Sequence, residues 1–101
     1  MNPPAYTVQD AIALFSAGNF VGADRICQHL LELTPADFTL LHLAGVIKSS
    51  LNQHTLALPF FDAAIAQRPA AYEVYRTRAW ALKTLGQTTE ALRSVSEALR
   101  I

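Results

Sequence analysis

Between Pro35 and Pro69 the chain reads PADFTLLHLAGVIKSSLNQHTLALPFFDAAIAQRP, and the two bracketing prolines stand 34 residues apart. The stretch divides into two helical segments, about 38–51 and 55–68. Asn52 parts them, and a proline, which cannot continue a helix, closes the second. Stepping 34 residues in either direction finds the same texture. Gly18, Asn52 and Gly86 form one column, Ala23, Ala57 and Ala91 a second, Leu30, Ala64 and Ala98 a third, and Ala11, Gly45 and Ala79 a fourth. With the prolines these are five co-registered columns, each keeping one physical type: turn former, small residue or apolar residue. A fixed period of this length marks a repeat architecture.

The first unit has the same build. From Thr7 to Ala17 the apolar side chains Val8, Ala11, Ile12, Leu14 and Phe15 fall at helical spacing. Thr7 and Asp10 approximate a capping box, with Asp in place of Glu or Gln. Gly18-Asn19 tolerates positive φ and stops the helix. A second helix is predicted over about Val21 to Leu33, with Ala23, Ile26, Cys27, Leu30 and Leu31 inward. The third unit repeats the scheme over about 72–85 and 89–101. Helices this short are marginal alone in water, so stability must come from stacking neighbouring units, as in a solenoid. An ordinary bundle would not place five columns in register, and a coiled coil would not tolerate turn residues every dozen positions.

These columns resemble the tetratricopeptide repeat, a 34-residue helix pair with the pattern W-x2-L-G-x2-Y, then A-x3-F, then P. The middle unit carries it best, with Leu41-x2-Ala44-Gly45, then Ala57-x3-Phe61, then Pro69. The first unit offers Ala23-x3-Cys27 and Pro35, and the third Ala91-x3-Val95, its proline position lying beyond Ile101. Asp10 and Arg78 stand where the pattern has leucine, and Lys48 where it has tyrosine. The resemblance covers about residues 4–101. It implies an all-α fold: an α-solenoid of three tandem helix–turn–helix units (about 4–37, 38–71 and an incomplete 72–101) in one domain of about six antiparallel helices. Small residues at Ala11, Gly45 and Ala79 have a physical reason, because they let the axes of two crossing helices approach.

Composition narrows the function. Half of the 101 residues, 51%, are apolar, enough for a packed core and too many for a disordered tail. Eight basic and eight acidic side chains cancel, so no global field draws the chain to nucleic acid or an anionic membrane. The charge is mildly polarised. Residues 1–71 carry five acids against three bases (−2), and residues 72–101 carry five bases against three acids (+2). No apolar run approaches a membrane span, and the N-terminus has no basic start followed by an apolar stretch, so no signal peptide is expected. Cys27 is the single cysteine, which excludes an intrachain disulfide and fits a reducing compartment. The expectation is a cytoplasmic protein.

In the resembling family the first helix of each pair lines a concave groove. What this implies here is a partner-binding surface of Val8, Ile12 and Phe15 in the first unit, His42 and Val46 in the second, and Arg76, Trp80 and Lys83 in the third. Ala5 would stand at its N-terminal edge. The surface is graded from apolar to basic and aromatic, and suits a protein or peptide segment with apolar residues at one end and an acidic group at the other. Trp and Arg are frequent interface anchors. Packing is the competing role: Val8, Ile12 and Phe15 would suit a covered face, and Trp80 a wedge between units. Tetratricopeptide domains that clamp the acidic C-termini of heat-shock chaperones use lysines, asparagines and an arginine. The matching positions here are Val8, Ile12, Leu43, Glu73 and Thr77, whose side chains do not form such a clamp.

No catalytic or metal signature is present, and no cofactor is expected. His29, His42 and His54 lack an H-E-x-x-H arrangement. Cys27 shares its column with Phe61 and Val95 and reads as a small buried apolar side chain. The last helix presents Leu92, Val95, Leu99 and Ile101 with no capping element after it, whereas solenoids end in a polar outer face. The chain is therefore expected either to self-associate through this end, as a homo-oligomer, or to be the N-terminal segment of a longer protein. Phe38 to Val46 resembles openings of bacterial repeat arrays that precede glycosyltransferase or sulfotransferase domains. The leading expectation is a non-catalytic protein–protein interaction scaffold. Pro59 breaks the local rules, and is expected to bend or shorten the helix it falls in.

Overall fold

The computed structural model describes residues 6–101. The described chain forms six helices: α1 (Val8–Ser16), α2 (Phe20–Leu33), α3 (Phe38–Ser50), α4 (His54–Gln67), α5 (Tyr72–Thr84) and α6 (Thr88–Arg100). The second helix of each pair starts at Phe20, His54 or Thr88, one period apart.

The turn column explains that regularity. Gly18, Asn52 and Gly86 have φ of 85°, 60° and 80°, the left-handed region that glycine enters freely and asparagine tolerates. Each closes the helix before it with the same pair of bonds. The Gly18 and Asn19 amides donate to the Phe15 and Leu14 carbonyls at 3.0 and 2.8 Å, those of Asn52 and Gln53 to Ser49 and Lys48 at 3.0 and 2.8 Å, and those of Gly86 and Gln87 to Lys83 and Leu82 at 3.0 and 2.8 Å. This is the Schellman arrangement, which satisfies orphan carbonyls at a helix end and reverses the chain in the fewest residues. Helix starts are capped locally. The Thr7 amide donates to Asp10 at 2.8 Å, that of Gly22 to Asn19 Oδ1 at 2.9 Å, and that of Leu40 to Asp37 Oδ1 at 3.0 Å. Pro59 does not shorten α4, which begins at His54 like its counterparts. Its exposed ring sits beyond the first turn and costs the helix one backbone donor.

Small residues set the spacing within pairs. Ala11, Ala23, Ala44, Ala57 and Ala64 are fully buried. At Gly45 a Cβ would run into the ring of Phe61, itself fully enclosed. Around this crossing a continuous core joins Cys27, Leu31, Leu40, Leu41, Ile47, Phe61 and Val74 from α2 to α5. A smaller cluster of Ala79, Leu82 and Ala91 holds the third pair, with Leu58 of α4 packed against it. The three departures from the repeat pattern are each satisfied by a polar partner. Asp10 caps α1. Lys48 pairs with Asp24 of α2 at 3.2 Å. Arg78 Nε reaches Asp62 of α4 at 2.8 Å while its Nη1 donates to Ser94 of α6 at 2.6 Å.

Each helix packs on its neighbours in sequence, and α1 also meets α3 and α3 meets α5. No comparable approach joins α2 to α4 or α4 to α6. The first helices of the pairs therefore form the inner side of the stack and the second helices its outer side. The result is elongated, 50 × 24 × 18 Å.

Candidate protein-binding surfaces

The inner side is built on the row α1–α3–α5. Ile12 is exposed, while Val8, Phe15 and Val46 are half-buried and pack against the core, Phe15 tilted on Phe20 at 5.3 Å between ring centroids. His42 is half-buried between Phe38 and Phe61, at 6.2 and 6.1 Å, and its Nε2 shares a hydrogen bond of 3.1 Å with Thr77 Oγ1 of α5. Burial lowers its pKa, with Glu73 opposing, so the ring is neutral at physiological pH and ties two units together. Arg76, Trp80 and Lys83 are exposed. Ala5 lies outside the described residues.

Trp80 stands edge-on to His54, 5.3 Å between centroids. His54 is buried, and its Nδ1 has no hydrogen-bond partner among the described residues. The rest of the indole is open. It lines an apolar pocket of about 870 Å³ between α5 and α6 together with Arg76, Lys83, Leu92, Val95 and Leu99. Two groups of residues that the sequence suggested as separate surfaces, the basic end of the groove and the apolar end of the last helix, thus meet in one concavity. Ile101 is exposed beside this end but does not line it. A second pocket, about 370 Å³, lies at the opposite end between α1 and α2, lined by Tyr6, Leu14, Gly22, Arg25, Ile26 and His29. Sequence reasoning missed it, although Tyr6 and Leu14 occupy the columns of Leu40 and Lys48.

Among the described residues no group of three His, Cys, Asp or Glu side chains stands together as a metal site, and no helix is long and apolar enough to cross a membrane. Cys27 is enclosed, and its thiol reaches toward the Leu40 carbonyl at 3.4 Å. Burial, helped by Asp24 and Asp37, pushes its pKa up to about 12, which makes it a packing residue and a poor nucleophile.

No family model matches the chain. By sequence it is similar to BBSome complex member BBS4 of Bos taurus and of Mus musculus, each 28% identical over 100 residues. Those 100 residues are 99% of this chain and 19% of the relative, so the chain spans about a fifth of the length of the curated relatives it matches. By structure it is similar to MamA 41-end from Desulfovibrio magneticus RS-1, with a TM-score of 0.87, 26% identity, and coverage of 92% of this chain and 52% of that one. MamA AMB-1 superposes with a TM-score of 0.85 at 22% identity, over 90% of this chain and 54% of that one.

Proposed function

The chain is a tetratricopeptide-repeat solenoid, and we propose that on this frame it works as a non-catalytic scaffold that holds a protein segment along the inner row of helices. The observation that carries the reading is the exposed side-chain gradient on that row, from Ile12 on α1 to Arg76, Trp80 and Lys83 on α5. Tryptophan and arginine presented together on a rigid helix are strong interface anchors, since little conformational freedom is lost when a partner covers them. The two cations select for an acidic group opposite α5, and Ile12 with its half-buried neighbours selects for apolar side chains opposite α1. The similarity to a relative named as a member of a complex supports a role in assembly.

A displayed library of random peptides, selected on the chain and counter-selected on Trp80→Ala, tests this. Enriched peptides should carry an acidic group at one end and apolar residues at the other, bind with Kd on the order of micromolar, and lose about tenfold or more on Trp80→Ala. Peptides that bind equally to Trp80→Ala and to Ile12→Asp would sink the groove assignment.

A further inference from the structure

The pocket between α5 and α6 has counterparts inside the molecule, and there they are filled. One and two periods earlier, the residues equivalent to Val95 are Phe61 and Cys27, both fully buried, whereas Val95 is 39% exposed. Leu99 is 83% exposed where its equivalent Leu31 is 9%. What covers the earlier faces is the first helix of the next unit: α3 on the first pair and α5 on the second. The opposite end shows the complementary deficit. Tyr6 is 50% exposed, while its equivalents Leu40 and Val74, at 5% and 0%, are buried against the preceding unit. The molecule therefore has a socket at one end and, in α1, a helix of the matching register at the other.

We propose that α1 of a second copy docks in this socket, so that copies stack head to tail and continue the solenoid. The internal contacts specify the register. Lys48 meets Asp24, 24 residues earlier, as an ion pair. Leu82 and Leu58, also 24 apart, meet as an apolar pair. The next such position is Leu92, and three periods of chain bring Leu14 of the second copy to it, apolar against apolar. By the same rule the contact of Cys27 with Leu40 is matched by Val95 with Tyr6. That of His42 with Thr77 is matched by Arg76 with Gln9, a donor with an acceptor. The joined ends also attract, since residues 72–101 carry +2 and residues 1–71 carry −2. An interface that pairs two different surfaces of the same chain is heterologous and extends rather than closes. The inference is independent of the groove reading, because Leu92, Tyr6 and Leu14 lie outside the row of residues assigned to the partner segment.

Light scattering on wild-type protein, Leu92→Asp and Tyr6→Asp, up to about 1 mM so that weak contacts register, tests it. Both substituted side chains are exposed, and far-UV circular dichroism should report unchanged helix content. The wild type should grow in mass with concentration. Each variant alone should fall to a monomer, because each lacks one half of the contact. Their equimolar mixture should form a dimer and stop there, since each variant keeps the half that the other lost. A wild type that stays monomeric throughout overturns the proposal. So does a Tyr6→Asp that still associates, which would mean that like ends meet. A monomer that instead captures a synthetic peptide of residues 72–84 in a Leu92-dependent way assigns the socket to a repeat helix of another chain, and also overturns it.

Discussion

At Gly45 the addition of one methyl group sets two effects against each other. In an exposed helix interior, replacing glycine with alanine stabilises by about 1 kcal/mol through backbone entropy. Here the methyl would meet the Phe61 ring, which is enclosed on all sides and has no room to yield, and overpacking of that kind costs about 1–3 kcal/mol. Gly45→Ala is therefore expected to lower stability by about 1–2 kcal/mol in urea denaturation. A stabilised variant would show that the α3–α4 crossing is not close. The small-residue column predicted this crossing, but the identity of the neighbouring ring became evident only when Gly45 and Phe61 were brought face to face.

The contacts between successive pairs are settled at the level of whole helices. Asp24 on α2 and Lys48 on α3 are both mostly shielded from solvent, with side-chain exposures of 21% and 17%, and Leu58 with Leu82 occupies the same place one unit later. Removing one charge leaves the other poorly solvated, so Asp24→Leu alone should cost about 1–3 kcal/mol. Asp24→Leu combined with Lys48→Leu recreates the pair of the next unit, and should return to within about 1 kcal/mol of wild type. A double variant as unstable as the single one would mean that the ion pair holds α2 to α3 in a way leucines do not. From sequence, Lys48 and Arg78 read as departures from the repeat pattern. Their partners Asp24, Asp62 and Ser94 come from other helices, so the compensation was not legible until the helices were packed.

Over the whole molecule stability should grade from the middle outward. The second unit is enclosed on both sides and contributes the largest share of the continuous core, while α1 and α6 each have one side without a neighbour. In a linear array each unit is held only by those adjacent to it. Amide hydrogen exchange should accordingly be slowest in α3 and α4 and fastest in α1 and α6 at low protein concentration. Uniform protection would indicate a single cooperative block.

Period, helix number and turn positions were determined by the sequence alone, because they depend on local chemistry: residues that accept positive φ at Gly18, Asn52 and Gly86, small residues at fixed intervals, and prolines that end helices. The six helices begin and end within about two residues of their predicted bounds. The grouping of surface residues was decided by the tertiary structure. Arg76, Trp80 and Lys83 belong to one helix and Leu92, Val95 and Leu99 to the next, and a list of facing positions treats them as two surfaces. Packing α5 against α6 with no further helix beyond them leaves one concavity. Its exposure follows from what does not cover it, a property of neighbours in space that residue spacing along the chain does not encode.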